Sequence, residues 1–252
     1  MIMAALVIVA DDGPVRLIRM NRPDKKNALN SPMYELMAEA IESANAAANI
    51  RCVMLAGAPG AFCAGSDLQE FQRAALEGAG LREAVLRFLH ALALSEKPLI
   101  AAVQGLAVGV GTTMLLHCDH VVAGSDARFS TPFVHLGLLP EAASSLLAPR
   151  LMGPRRAFSL LVMGRPLDAA EAKVCGLINT IVAPGDVDNE AAKAAREIAA
   201  LPPEAVAAAR RLMRGAPDEI IARIDEEAGH FRTRLQSQEA RAALEAFFAR
   251  KR

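Results

Sequence analysis

Two segments of this chain bring glycines to the point where an apolar strand ends, and both can present bare main-chain amides to a ligand. One is Ala61-Phe62-Cys63-Ala64-Gly65-Ser66-Asp67-Leu68, shortly after the apolar run Cys52–Ala56. The other is Gln104-Gly105-Leu106-Ala107-Val108-Gly109-Val110-Gly111, directly after Leu99–Val103 and ahead of a helical stretch. N–H groups placed there can converge on a ligand oxygen, aided in the second segment by a helix N-terminus. Neither segment contains GxxxxGK[ST] or a full GxGxxG, which argues against a phosphate loop or a dinucleotide site. Taken singly, each also reads as an ordinary strand-to-helix turn. Glu141 is two-sided as well. After Pro140 it reads as a solvated charge at a helix start. Among Leu138, Leu139 and Ala142 it reads as a carboxyl whose pKa desolvation raises toward a value useful for proton transfer.

Other chemistries find little support. His90, His117, His120, His135 and His230 show no metal spacing, and His135 reads as a packing residue. Ser66, Ser144 and Ser145 have no His–Asp partners in sequence order. Cys52, Cys63, Cys118 and Cys175 form no CxxC pair and sit in apolar contexts, so reduced buried thiols in a cytoplasmic protein are expected and a metal site is not. Lys+Arg and Asp+Glu balance at 28 each, which disfavours nucleic acid and anionic membranes as partners. Ile2–Ala10 is apolar but reads as a strand rather than a signal peptide. Pro98–Leu116 lacks charge, yet its Gln, Gly and Thr residues suit a buried strand, a turn and a buried helix better than a membrane span.

The elements that must position these groups follow from patterning. With 252 residues, 53% apolar and 22% charged, the chain can bury a large core. Leu6–Ala10 and Val15–Met20 flank Asp11-Asp12-Gly13 and predict a hairpin. Ser31 is expected as the N-cap and Pro32 as the first residue of a helix whose apolar face is Met33, Leu36, Met37, Ala40, Ile41 and Ala44. Strands are expected at Cys52–Ala56, Leu99–Val103, His120–Ala123 and Leu177–Val182, and helices at Leu81–Leu94 and Val110–Leu116. Buried strands alternating with helices imply an α/β fold with parallel character. Four helices are expected after Asp188, at Asn189–Ala200, Pro203–Met213, Pro217–Arg232 and Gln236–Ala249. A boundary near Ala183–Gly185 divides an α/β core, residues 1–184, from a helical region, residues 185–252.

Several stretches together resemble the crotonase (enoyl-CoA hydratase/isomerase) superfamily. They are Asn21-Arg22-Pro23…Asn27-Ala28-Leu29, Phe62–Leu68, Ala102-Val103-Gln104-Gly105…Gly109-Val110-Gly111, Cys118-Asp119, Phe129-Ser130-Thr131-Pro132 and Gly164-Arg165-Pro166-Leu167…Gly176-Leu177-Ile178. The resemblance covers nearly the whole chain in order. It implies a spiral of ββα units and a helical C-terminal region that builds homotrimers or dimers of trimers. It also implies an acyl-CoA thioester substrate, with no cofactor beyond the CoA that the substrate carries. The main-chain N–H groups of Ser66 and Val110 would hold the thioester oxygen, although Val110 stands where the family more usually has glycine. Ala64, Asp67, Leu68 and Gly109 would line the CoA path. Lys25 and Lys26 would meet CoA phosphates, and Phe247, Phe248 and Lys251 resemble a tail that touches CoA, with core packing the plainer reading of the phenylalanines.

Within that resemblance, hydratases use two glutamates, and their places here are Thr113 and Phe133. Neither side chain can take a proton at neutral pH. Glu141 instead matches the position of the glutamate in peroxisomal-type Δ3,Δ2-enoyl-CoA isomerases. The expected activity is therefore a double-bond shift with Glu141 as single base. The alternatives are a hydratase or another crotonase reaction, such as a thioesterase or dehalogenase, and a non-catalytic acyl-CoA-binding scaffold.

Overall fold

The computed structural model describes residues 5–77 and 83–249. The chain starts with β1 (Val7–Asp12) and β2 (Val15–Met20), the expected antiparallel hairpin, with Gly13 taking a φ of +57° at the turn. α1 (Ser31–Ala46), β3 (Cys52–Gly57), α2 (Leu68–Glu77), α3 (Glu83–Ala93) and β4 (Leu99–Val103) follow. Next come β5 (Leu106–Val108), α4 (Val110–Thr113), β6 (His120–Gly124), β7 (Arg128–Ser130), α5 (Ser144–Met152) and α6 (Pro154–Leu161). The chain continues through β8 (Leu167–Asp168), α7 (Ala169–Val174) and β9 (Thr180–Val182). It ends in α8 (Val187–Ala199), α9 (Pro203–Arg214), α10 (Asp218–Leu235) and α11 (Gln238–Ala249).

The main sheet has the order β1-β2-β3-β4-β6-β9 and is parallel from β2 onward. A small second sheet runs β5-β7-β8, and the isolated bridges Leu29↔Ser66 and Cys63↔Ala107 form the same kind of short pairing. Each turn of the chain thus goes from a long strand to a short bridging segment and then to a helix. β2, Leu29 and α1 make one turn, β3, Cys63 and α2 the next, and β4, β5 and α4 a third. This is the ββα spiral, and it stacks the short bridging segments on one another.

Strand periodicity explains why β3 and β4 are apolar throughout. Val53, Leu55, Leu99, Ala101 and Val103 join the large core with α1 and α3. Their neighbours Cys52, Met54, Ala56, Ile100 and Ala102 point the other way into a second core with Val187, Ala191, Ala195 and Ala199. Both faces are covered, so alternation disappears from the sequence. The four α8 residues recur every fourth position, and three are alanines, which keeps that helix close to the sheet. Past residue 184, therefore, the first helix still packs on the strands.

Several local expectations shift. Asn30, not Ser31, caps α1 by accepting the Met33 N–H at 3.1 Å, while the Ser31 amide and hydroxyl donate to the Glu70 carboxylate. The helix expected at Val110–Leu116 is one α-turn followed by a 3-10 turn, Met114–His117. The last strand begins at Thr180 because Leu177 and Ile178 are taken into the core ahead of it. Within the described residues no helix is long and apolar enough to cross a membrane. Ala195→Leu should wedge α8 from the sheet and lower stability by about 1–3 kcal/mol. The check is a lower denaturant midpoint at unchanged m-value.

Candidate active site

The first glycine segment is held by the second. The Cys63 N–H donates to Leu106 O at 3.0 Å and the Val108 N–H returns to Cys63 O at 2.9 Å. Gly111 packs so closely here that a Cβ would lie 2.6 Å from Cys63 O and 2.8 Å from Cys63 Cβ, so no side chain fits. Gly65 turns the chain at φ +90°, and its Cα lies 4.0 Å from where a Cβ on Gly109 would stand. The two turns therefore face each other.

Register decides which amides remain free. In the parallel bridge between Leu29 and Ser66, Leu29 N–H donates to Gly65 O at 2.8 Å and Asp67 N–H donates to Leu29 O at 2.7 Å. Ser66's own N–H then points away from the bridge, and among the described residues it donates to nothing. The Val110 N–H is likewise uncommitted, because Val110 is the first residue of α4 and has no earlier turn to bond. Gly109 takes the positive φ, +54°, and Val110 does not. A glycine is needed at 109 and not at 110, so the valine leaves this backbone unstrained.

Glu141 approaches from a third segment. Its Oε1 accepts a 2.6 Å bond from Thr113 Oγ1, and the residue is 5% exposed. Burial pushes its carboxyl up to about 7; the Thr113 bond opposes that rise and the nearby Glu227 charge adds to it. Thr113 thus contacts the acid instead of merely occupying a hydratase position.

Ala64, Ser66, Leu68, Gly109, Val110, Phe133 and Glu141 all line one apolar cavity of about 350 Å³. Phe231, Ala243, Ala246 and Phe247, from α10 and α11, also line it. His135, expected only to pack, also lines it, while its ring rests where a side chain on Gly164 would stand. An outer groove of about 690 Å³ shares Ala64, Ser66, Leu68 and Phe247 with the cavity and adds Asp24, Lys25, Lys26, Asp67 and Phe248. Phe247 and Phe248 therefore face these spaces, not the core alone. The Asp67 carboxylate is tied to Arg22 at 2.8 Å and also accepts the Gln69 N–H at the start of α2. Lys251 lies outside the described residues.

Three neighbours escaped sequence reasoning. Tyr34, spaced as an α1 core residue, is fully buried with its hydroxyl 2.6 Å from Ser66 Oγ. His117 and Glu227 both reach the Glu141 loop. Helical spacing marked α1 and α10 as packing elements, and nothing in it distinguishes a polar residue that reaches another segment.

The family model described as Enoyl-CoA hydratase/isomerase matches residues 11–252. The chain belongs to that family. A Rhizobium meliloti protein named "probable enoyl-CoA hydratase" is 32% identical over 98% of this chain and 96% of its own length. Rat enoyl-CoA delta isomerase 2 is 33% identical over 97% of this chain, which spans 64% of that relative. The crystal structure of an enoyl-CoA hydratase/isomerase from Pseudoalteromonas atlantica superposes with a TM-score of 0.91 at 39% identity, covering 98% of both chains. The family includes enzymes named for both reactions, so the distinction must come from the site.

The Glu141 shift carries a stability consequence. Its folded-state pKa, about 7, lies above the ordinary value of 4.5, so between those pH values the folded protein binds the extra proton. Stability from this group is present at low pH and is lost as pH rises through that window, at up to about 1.4 kcal/mol per pH unit. Glu141→Gln, which keeps an acceptor for Thr113, should therefore melt higher than the parent above pH 7 and alike below pH 4. Melting curves across pH check it.

Proposed function

We propose that this family member is a Δ3,Δ2-enoyl-CoA isomerase. The observation that carries the reading is that, among the described residues lining the inner cavity, Glu141 is the single carboxyl, with its pKa near neutrality and two uncommitted amides lining the same cavity. A 1,3-proton shift needs one base that can take and return a proton. In this reading the thioester oxygen of a 3-enoyl-CoA accepts from the Ser66 and Val110 N–H groups. Glu141, ionised, removes a C2 proton, and the electron pair moves into the thioester to give an enolate. The two amides stabilise the new charge, each worth roughly 10²–10³ in rate. The protonated carboxyl then delivers the same proton to C4 as the double bond moves to C2–C3.

The arrangement around the base supports isomerisation over hydration. Thr113 spends its hydroxyl on Glu141, and Phe133 presents an apolar wall, so the two places where hydratases carry acids hold neither. The apolar lining also leaves little to order a water for addition. Burial and proton transfer work together here, because a carboxyl near pH 7 is both basic enough to abstract and acidic enough to return.

Parallel assays on 3-enoyl-CoA and 2-enoyl-CoA test the reading. Isomerisation of the first is expected, rising with pH through about 7 as Glu141 ionises, and lost in Glu141→Gln. Hydration of the second without isomerisation of the first would sink it. The outer groove provides a second check. With Lys25 and Lys26 there to meet CoA phosphates, Lys25→Ala/Lys26→Ala should raise KM several-fold at low salt with kcat nearly unchanged. An unaltered KM would remove the lysines from CoA binding.

A further inference from the structure

The loop that delivers Glu141 has a backbone that alanine does not readily adopt. Ala142 and Ala143 both lie in the left-handed region, at φ +63° and +53°. Such residues cost about 1–2 kcal/mol each outside glycine and persist where their surroundings over-determine them. The turn reverses the chain between Glu141 and α5, so the direction of the Glu141 side chain depends on it.

The Ser144 N–H closes the turn on Glu141 O at 3.1 Å, three further bonds reach it from other segments, and two of these end on one carboxylate. Glu227 Oε2 accepts the Ala143 N–H at 2.7 Å and Oε1 accepts the Ser145 N–H at 3.0 Å. Ala143 is the N-cap of α5 and has no side-chain acceptor, so a residue more than 80 positions later caps the helix in its place. The third bond joins the His117 ring to Ala142 O at 2.8 Å. Burial pushes that imidazole down to about 4, so it is neutral, and Nε2 must carry the proton because the carbonyl can only accept. Arg223, one turn earlier on α10, bonds Ser145 Oγ at 3.2 Å and pairs with Glu226 at 3.0 Å. Glu227 is 6% exposed, and burying a carboxylate is costly enough to need a return.

We infer that Glu227 is a positioning residue for proton transfer: it clamps the left-handed Ala142–Ala143 turn so that Glu141 faces the cavity. The role rests on Glu141 being the base, as proposed above. The clamp makes α10 part of the site's mechanics as well as of its wall. Among the described residues, the charged and titratable groups around Glu141 are Glu227 on α10, His117 after α4, Tyr34, Cys63 and the cavity-lining His135; Arg223 holds the Ser145 end of the clamp. Glu227 also sets the charge that Glu141 senses, since its negative charge disfavours a second one nearby.

The test is Glu227→Gln, whose amide offers one acceptor where the carboxylate offers two. On whichever CoA thioester the parent turns over, kcat should fall about tenfold to a hundredfold with KM changed by no more than about twofold. The Glu141 carboxyl, assigned in pH-dependent infrared difference spectra by its loss in Glu141→Gln, should titrate lower than in the parent. That spectrum needs no turnover, so absent 3-enoyl-CoA activity would count against the isomerase reading and leave the clamp still measurable. Unchanged kcat together with an unchanged Glu141 titration would overturn the clamp, as would a loss confined to KM. Should Glu227→Gln fail to fold, Ala143→Gly is added, because glycine takes a φ of +53° without strain. A folded double variant is read by the same two measurements. One that is still unfolded would show that Glu227 holds the core instead of the turn, and the proposal fails.

Discussion

The structure turns on a carboxyl held out of water. Among the described residues Glu141 accepts one side-chain hydrogen bond, from Thr113, and it lines a largely apolar cavity. Ionising it there costs free energy that an exposed glutamate would not pay, and the same cost brings its pKa to neutrality. A second bonded donor would stabilise the anion and weaken the base. A fully enclosed site would hold the group neutral and cut it off from substrate. Burial against one hydroxyl, with an opening onto the cavity, lies between those limits, and the surrounding elements serve to maintain it.

The two uncommitted donors of the cavity belong to the main chain. The close packing of Gly111 on Cys63 locks the two glycine turns together, and the parallel bridge at Leu29 uses the Gly65 carbonyl and the Asp67 N–H on either side of Ser66. What remains free is the Ser66 N–H, and beside it the first N–H of α4. Donors that belong to the backbone cannot rotate away, so their direction is preorganised by the spiral itself. Valine at 110 is accommodated because glycine at 109 takes the positive φ.

The helices after residue 184 contribute unequally. α8 finishes the sheet by covering its second face. α10 and α11 line the cavity with Phe231, Ala243, Ala246 and Phe247, and α10 sends Glu227 to the Glu141 loop. α9 has no buried residue, and Leu212 and Met213 on it are almost fully exposed. A division of the chain by element type is therefore different from a division by what each element touches.

Much of this was legible in the residues. Apolar runs marked β3 and β4, the segments flanking Asp11-Asp12-Gly13 marked the hairpin, and helical spacing marked α1 and the four C-terminal helices. These signals are local, arising from periods of two and 3.6 residues that any single segment carries. Glu141, Ser66, Val110 and Phe133 could be named from motif and position. What tertiary structure alone decided is how they meet. Thr113 was legible as an absent acid, but only contact shows that its hydroxyl tunes Glu141. His135 shows no partner in its own segment and lines the cavity with its ring packed against Gly164, which follows α6. Tyr34 and Glu227 sit at ordinary helical core positions, and their polar ends reach groups 32 and more than 80 residues away. Strand and helix periods determine which face of an element is apolar. Which distant oxygen or amide a buried polar atom reaches depends on packing, and that is where the environment of Glu141 is set.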